Sequence, residues 1–140
     1  PAIKGVEFGL GFKAAALSGS AVHDPIIQST RSGFGRTSNN AGGLEGGMTT
    51  GLPLVVTAAM KPIPTLRNPL ATVNMDTMEV AQASRERSDV CAVPAAAVVA
   101  EAEVAMVLAD AYLQKFGHDN MADVKAHLDQ YCQRIKTASK

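Results

Sequence analysis

Apolar and polar residues alternate near the start of the chain, where Ile3–Phe8 reads IKGVEF. Such alternation with period two is typical of a strand with one buried face. A second strand is predicted over residues 53–60 (PLVVTAAM), and residues 71–75 and 78–85 are predicted to pair as a hairpin around Asp76. The first two thirds of the chain are therefore expected to consist mainly of strands and connecting loops.

Two helices are predicted in the last third. Pro94 suits the first turn of a helix, and the apolar run that follows it extends to Phe116, with Gly117 just past the end. A final helix is predicted over about residues 121–135, where apolar positions recur at helical spacing. These positions are Val124, Leu128, Cys132 and Ile135. Strands followed mostly by helices predict an α+β fold, in which an antiparallel β-sheet has helices packed on one face.

The segment between the first two strands is rich in turn-forming residues. Residues 9–19 predict a turn and a short helix, and residues 19–40 predict a long loop with a short strand near 34–37. Residues 39–51 (NNAGGLEGGMTTG) include five glycines. So many glycines are justified only by close backbone approach or by unusual backbone angles.

Composition limits the classes of function. The chain of 140 residues has 46% hydrophobic and 19% charged residues, which fits a single globular domain over 1–140. The net charge is zero, so there is no basic surface of the kind that binds nucleic acid. Aromatic residues make up only 4%, and tryptophan is absent, which argues against base stacking.

Membrane, metal and disulfide chemistry are also not indicated. The longest apolar run, residues 90–100, is too short to span a bilayer. Cys91 and Cys132 are expected to be reduced thiols of a cytoplasmic protein. The three histidines show no metal-ligand spacing, so no metal site is predicted.

Two glycine patterns suggest nucleotide binding, but each lacks a defining residue. Residues 9–14 (GLGFKA) fit the dinucleotide fingerprint, yet no strand ending in an acidic residue follows about 20 residues later. Residues 42–49 approach a phosphate-binding loop, but Met48 stands where the lysine is required. A strand-to-helix turn explains the first pattern. A glycine-rich bend, or a loop pressed against a flat ligand, explains the second.

Two stretches carry candidate binding chemistry. Residues 61–65 (KPIPT) combine a cation and a hydroxyl with a stiff backbone, which suits a phosphate or a ring edge, although a surface loop between strands is equally compatible. The second stretch, Arg87-Ser88-Asp89, directly precedes an apolar segment. Ser88 and Asp89 could cap a helix. Alternatively, Arg87 could bind phosphate and Asp89 could act as a base.

Four stretches together resemble the chorismate synthase family. They are IKGVEFGLGF, SNNAGGLEGGMTTG, AAMKPIPTL and RSDVCAVPAAAVVAEA, and they occur in the family's order and spacing. The resemblance covers nearly the whole chain and corresponds to the C-terminal part of a longer enzyme. The chain is therefore expected to be a fragment that lacks the upstream histidine acid/base residues and most substrate-binding arginines. The family fold is a layered sandwich of antiparallel sheets and helices, assembled as a homotetramer.

The resemblance implies a lyase of the shikimate pathway of aromatic amino acid biosynthesis. Members of the family eliminate phosphate and a proton, 1,4-anti, from 5-enolpyruvylshikimate-3-phosphate to give chorismate. They require reduced FMN, which is reduced either with NADPH or by an external system. The expected partners are this substrate, further copies of the chain and the missing N-terminal part of the enzyme.

The resemblance also assigns site residues. Asp89 matches the family aspartate near the flavin N5 atom, to which a role in proton removal is given. The FMN-binding positions that match are Ala2, Gly46, Lys61, Pro62, Ile63, Pro64, Thr65 and Arg87, with Ser88 close by.

Overall fold

The computed structural model describes residues 2–29, 33–86 and 91–138. Within them, eight short strands form four antiparallel pairs. The pairs are β1 (Ile3–Phe8) with β6 (Val56–Met60), β2 (Ile26–Ser29) with β3 (Gly33–Arg36), β4 (Leu44–Glu45) with β5 (Met48–Thr49), and β7 (Ala71–Val73) with β8 (Val80–Gln82). The α+β prediction is confirmed, with the strands distributed over four two-stranded sheets.

The helices follow local signals in the sequence. They are a 3-10 helix (Gly11–Ala16), α1 (Gly19–Val22), α2 (Val93–Phe116) and α3 (Met121–Ala138). Pro94 lies in the first turn of α2, and α2 ends where Gly117 adopts a φ of 101°. Asn120 accepts a hydrogen bond from the Ala122 amide at 2.8 Å, which caps the start of α3. No described helix is both long enough and apolar enough to cross a membrane.

The register of β1 against β6 creates one apolar sheet face. Antiparallel partners point to the same side of a sheet, so Val6 and Phe8 lie on one face with Ala58 and Val56. Helix α2 lies beside this face, and an apolar cavity of about 520 Å³ separates the two. Val6 is 53% exposed, so α2 covers the face only in part.

Buried apolar side chains among the described residues lie at the junction of α2 and α3. Phe116 and Val124, 8% and 3% exposed, are its buried apolar side chains. The Phe116 ring centroid lies 4.8 Å from that of Tyr112 and 5.6 Å from that of Tyr131. His127 Nδ1 is 2.8 Å from the Phe116 carbonyl oxygen at the end of α2, so the ring also ties the two helices together.

Much apolar surface is open to solvent. The accessible area is 11457 Å², against roughly 6,900 Å² for a compact monomer of this mass. Exposed apolar residues occur on both the strands and α2, where Val99 is 60% and Met106 is 58% exposed. A helix that is apolar on more than one face is normally covered by other polypeptide. The described residues therefore provide too little partner surface for their own apolar faces.

Most predicted elements are confirmed, with several corrections. Strands β4 and β5 lie in the segment predicted as a glycine-rich bend, and β7 and β8 are shorter than the predicted 71–75 and 78–85. Strand β2 lies in the segment predicted as loop, and it was missed because Ile26 and Ile27 are adjacent rather than alternating. The second predicted strand begins at Val56 instead of residue 53, because the Val55 backbone bonds to Gly9 and Gly42. Helix α3 continues to Ala138 rather than ending near residue 135. Both cysteines are free, as expected.

Candidate functional site

A cleft of about 510 Å³ lies between the loop that follows β6 and the start of α2. Four of the predicted cofactor-binding residues line it, namely Lys61, Pro62, Ile63 and Thr65. Ala92 and Val93 contribute the opposite side, at the first residues of α2. The structure thus brings the KPIPT stretch next to the start of α2, about 30 residues later in the sequence.

The loop is anchored and stiff. The Lys61 amide donates a hydrogen bond of 2.9 Å to the Ala2 carbonyl, which continues the pairing of β1 with β6. This bond places Ala2, another predicted contact, beside the base of the loop. Pro62 and Pro64 restrict φ on either side of Ile63. Pro64 belongs to the same loop but is not among the residues that line the cleft. The loop is therefore largely preorganised before any ligand binds.

The charges of the cleft favour an anion. Lys61 and Arg67 both line it, and none of its described lining residues is acidic. The residue that precedes α2, Ala92, has no side-chain oxygen to cap the first amides of the helix, and the first turn carries no acidic residue. The N-terminus of a helix attracts negative charge through the helix dipole. The rest of the lining includes apolar Met60 and Leu66. The cleft therefore combines an apolar slot with two cations.

Arg67 was missed by the sequence analysis. It follows the KPIPT stretch by two residues, and a second cation so close to Lys61 was the signal available. Only the path of the loop brings it to the same cleft.

Gly46 does not line this cleft, and the predicted catalytic stretch, residues 87–89, is not among the described residues. Gly46 lies in the turn between β4 and β5 with a φ of 55°, is exposed, and does not line the cleft. Arg87, Ser88 and Asp89 lie outside the described residues, so their roles stay predictions. Cys91, two residues after Asp89, lines the cleft.

The two glycine patterns serve backbone contacts within the fold. A Cβ atom on Gly42 would lie 2.4 Å from the Gly9 nitrogen, and one on Gly43 would lie 2.5 Å from the Pro53 carbonyl oxygen. Gly9 and Gly42 belong to the two different motifs that suggested nucleotide binding. Each of them must be glycine because the backbone of the other leaves no room for a side chain. Gly46 and Gly47 differ, because a Cβ on either would meet nothing within 4 Å.

A buried carboxylate holds the base of the glycine-rich loop. Asp24 is 6% exposed and accepts hydrogen bonds from Ser38 Oγ, from the Asn40 amide at 2.7 Å and from the Ala41 amide at 2.9 Å. Burial raises the pKa of Asp24, but these hydrogen bonds and the charge of Arg36 outweigh it, so the pKa lies below its ordinary value. Among the described residues, no group of three His, Cys, Asp or Glu side chains could hold a metal ion.

The α+β scaffold thus carries a cationic loop beside a helix N-terminus, an arrangement that suits an anionic ligand. Comparison with known proteins identifies the family. The sequence model described as chorismate synthase matches residues 1–113. The chain belongs to the chorismate synthase family.

Individual sequences and a solved structure show the same similarity. The chain is 56% identical over 136 residues to chorismate synthase of Aquifex aeolicus (strain VF5), covering 97% of this chain and 34% of that protein. It is 58% identical over 135 residues to chorismate synthase of Desulforamulus reducens, covering 96% and 35%. A solved structure titled "Crystal Structure of Chorismate Synthase" aligns with a TM-score of 0.76 and 48% identity, over 97% of this chain and 33% of that one. The chain spans about one third of the length of the relatives it matches.

Proposed function

We propose that this chain forms the flavin-side part of a chorismate synthase active site. The reaction is the 1,4-anti elimination of phosphate and a proton from 5-enolpyruvylshikimate-3-phosphate, which gives chorismate and requires reduced FMN. The observation that carries the proposal is the cleft that joins Lys61 and Arg67 to the start of α2, in a chain of this family. Because the chain spans about one third of its relatives, the complete activity needs the remaining polypeptide.

The residues present in the cleft fit FMN. FMN combines a flat, largely apolar ring system with an anionic phosphate. The apolar lining of the cleft suits the ring, while Lys61 and Arg67 suit the phosphate. Thr65 adds a hydroxyl group. The stiff proline-rich loop lowers the entropy that is lost on binding. When bound, reduced FMN would supply electron density to the allylic system as phosphate departs.

The chain's own residues would orient the cofactor and handle charge and protons. Lys61 offsets negative charge, and the Ala2 backbone holds the base of its loop. Pro62, Ile63 and Pro64 would present backbone and ring edges to the flavin. In the stretch outside the described residues, Arg87 would bind the cofactor with Ser88 beside it. Asp89 would accept the proton that is removed in the elimination.

The wider assembly is also part of the proposal. The exposed apolar faces of α2 and of the β1–β6 sheet support burial by the rest of the enzyme and by further copies, as in the family's homotetramer. The flavin would be reduced with NADPH or by an external system, in the cytoplasm. The remaining polypeptide of the enzyme would supply the histidine acid/base groups and most of the arginines that bind the substrate.

A second candidate is a flavin-binding module or structural piece that has no catalysis of its own and is inactive without the missing N-terminal part. The large exposed apolar area favours it, because the described residues do not cover their own faces. Both candidates belong to the same family, and they differ in whether this chain itself contributes to catalysis.

The two candidates are separated by a chimera in which this chain replaces the matching part of the Aquifex aeolicus enzyme. We expect the chimera to release phosphate from 5-enolpyruvylshikimate-3-phosphate under anaerobic conditions with reduced FMN. Asp89→Asn should lower turnover at least about 100-fold, the usual scale for a general base, while FMN affinity changes little. The control is Asp76→Asn, which makes the same charge change at an exposed position.

Near-normal turnover of Asp89→Asn would remove Asp89 from proton transfer. A chimera that binds FMN without releasing phosphate would favour the module. A chimera that neither binds FMN nor turns over would refute the proposal as a whole.

A further inference from the structure

The turn between β4 and β5 has a free tip and a fixed base. A Cβ atom on Gly46 or Gly47 would meet nothing within 4 Å, so no described residue packs against the tip. Both residues have positive φ, 55° and 75°. A turn without contacts at its tip depends on its base for a defined position. The tip is also open to a ligand from solvent.

The base is held by the Asp24 carboxylate. Its Oδ1 atom accepts hydrogen bonds from the Asn40 amide and Ser38 Oγ, and its Oδ2 atom accepts one from the Ala41 amide. Hydrogen bonds to an ionised group are about twice as strong as those between neutral groups. Asp24 is 6% exposed, which shields these bonds from competition with water.

Arg36 connects Asp24 to Glu45, the residue before Gly46. Its Nη1 atom donates to the Asp24 carbonyl oxygen at 2.7 Å, and its Nη2 atom pairs with Glu45 Oε2. Glu45 directly precedes Gly46 in the sequence. Asp24 therefore holds one end of the loop segment 40–45 directly, through the Asn40 and Ala41 amides. It is connected to the other end, at Glu45, through Arg36. None of these residues reaches the cleft at Lys61.

We propose that Asp24 is a positioning residue, which fixes the loop of residues 39–47 so that Gly46 is presented to the flavin. The inference rests on the proposed function and on the family resemblance, which matches Gly46 to an FMN-binding position. Asp24 acts through the loop and does not touch the cofactor. Loss of its charge would leave the Lys61 cleft intact but allow the loop to sample other conformations. FMN would then bind more weakly, because each binding event must first order the loop.

The test uses Asp24→Asn, which keeps the side-chain shape but places an NH₂ group against at least one amide donor. Asp76→Asn, in the exposed turn between β7 and β8, is the matched control. Amide hydrogen exchange of the chain itself reports on the loop. FMN titration of the chimera described above, followed by flavin fluorescence, reports the dissociation constant, the number of sites and the fluorescence of the bound flavin.

We expect Asp24→Asn to speed exchange of the Asn40 and Ala41 amides at least tenfold and to leave the amides of α2 unchanged. The FMN dissociation constant should rise about tenfold, at an unchanged number of sites and unchanged bound-flavin fluorescence. Asp76→Asn should alter neither measurement.

Three results would overturn the inference. The first is unchanged exchange in the loop. The second is faster exchange with an unchanged dissociation constant, which would assign Asp24 to the fold alone. The third is a loss of FMN sites together with faster exchange throughout α2, which would indicate general destabilisation. If the unsubstituted chimera does not bind FMN, the proposed function itself fails, and this inference falls with it.

Discussion

Replacement of Gly42 by alanine tests the close backbone approach at the centre of the fold. Gly42 has a φ of 67°, and an added Cβ would lie 2.4 Å from the Gly9 nitrogen and 2.9 Å from the Val55 carbonyl oxygen. Gly47 provides a matched comparison in the same loop. Its φ is 75°, but a Cβ there meets nothing within 4 Å. The two substitutions share the backbone strain and differ only in the collision.

The expected costs follow from these contacts. A left-handed conformation costs an alanine about 1–2 kcal/mol, and this cost applies to both variants. At Gly42 the neighbouring segments must also separate, because backbone atoms cannot rotate away. Separation weakens three hydrogen bonds of 2.8–3.0 Å, namely Gly9 N to Val55 O, Val55 N to Gly42 O and Leu10 N to Asn40 O. At about 0.5–1.5 kcal/mol each, Gly42→Ala should cost roughly 3–6 kcal/mol in total, and Gly47→Ala about 1–2 kcal/mol.

The assay is amide hydrogen exchange at Leu10 and Val55, whose amides form two of these bonds. Gly42→Ala should speed their exchange at least tenfold more than Gly47→Ala does, because 1.4 kcal/mol corresponds to a factor of about ten. Amides of α3, which is distant in the sequence and packs on α2, serve as internal controls. Equal effects of the two variants, within about 0.5 kcal/mol, would refute the assignment of Gly42 to close packing.

Two further predictions concern charge. Lys61→Ala should raise the FMN dissociation constant of the chimera about tenfold by flavin fluorescence, since Lys61 is one of two cations among the described residues that line the cleft. Lys13→Ala is the control, and equal affinities of the Lys61 variant and the unsubstituted chimera would exclude Lys61 from the site. Because the folded-state pKa of Asp24 is depressed, its stabilisation is present above the unfolded pKa of about 3.9 and is lost as pH falls through the folded pKa. Protection of the Asn40 and Ala41 amides should therefore decline below about pH 4 in the unsubstituted chain but not in Asp24→Asn. Parallel pH profiles would contradict this.

Local patterns predicted the elements that depend on local physics. The alternation in Ile3–Phe8 indicates a strand because side chains of a strand alternate between two faces. Pro94 and Gly117 delimit α2 because proline is tolerated in a first helical turn and glycine readily adopts the backbone angles that end a helix. The motifs also indicated the family, and they predicted Lys61 as a binding residue before its place in a cleft was known.

The reasons for the glycines could not be read from the sequence. Each motif looked like a nucleotide loop because glycine spacing records only that a side chain is excluded. Gly9 and Gly42 are 33 residues apart, and only folding shows that each excludes the other's side chain. The same limit applies to Arg67, which enters the cleft through the path of its loop.

The sequence alone thus determined both long helices and most of the strands, the family and the residue types available for binding. The tertiary structure decided which of them meet. It paired β1 with β6 across about 50 residues, and it folded residues 38–41 over Asp24, an aspartate that appeared to lie in a polar loop. The physical reason is that secondary structure follows from contacts between near neighbours, whereas burial, charge pairing and close backbone approach arise between segments that only the folded chain brings together.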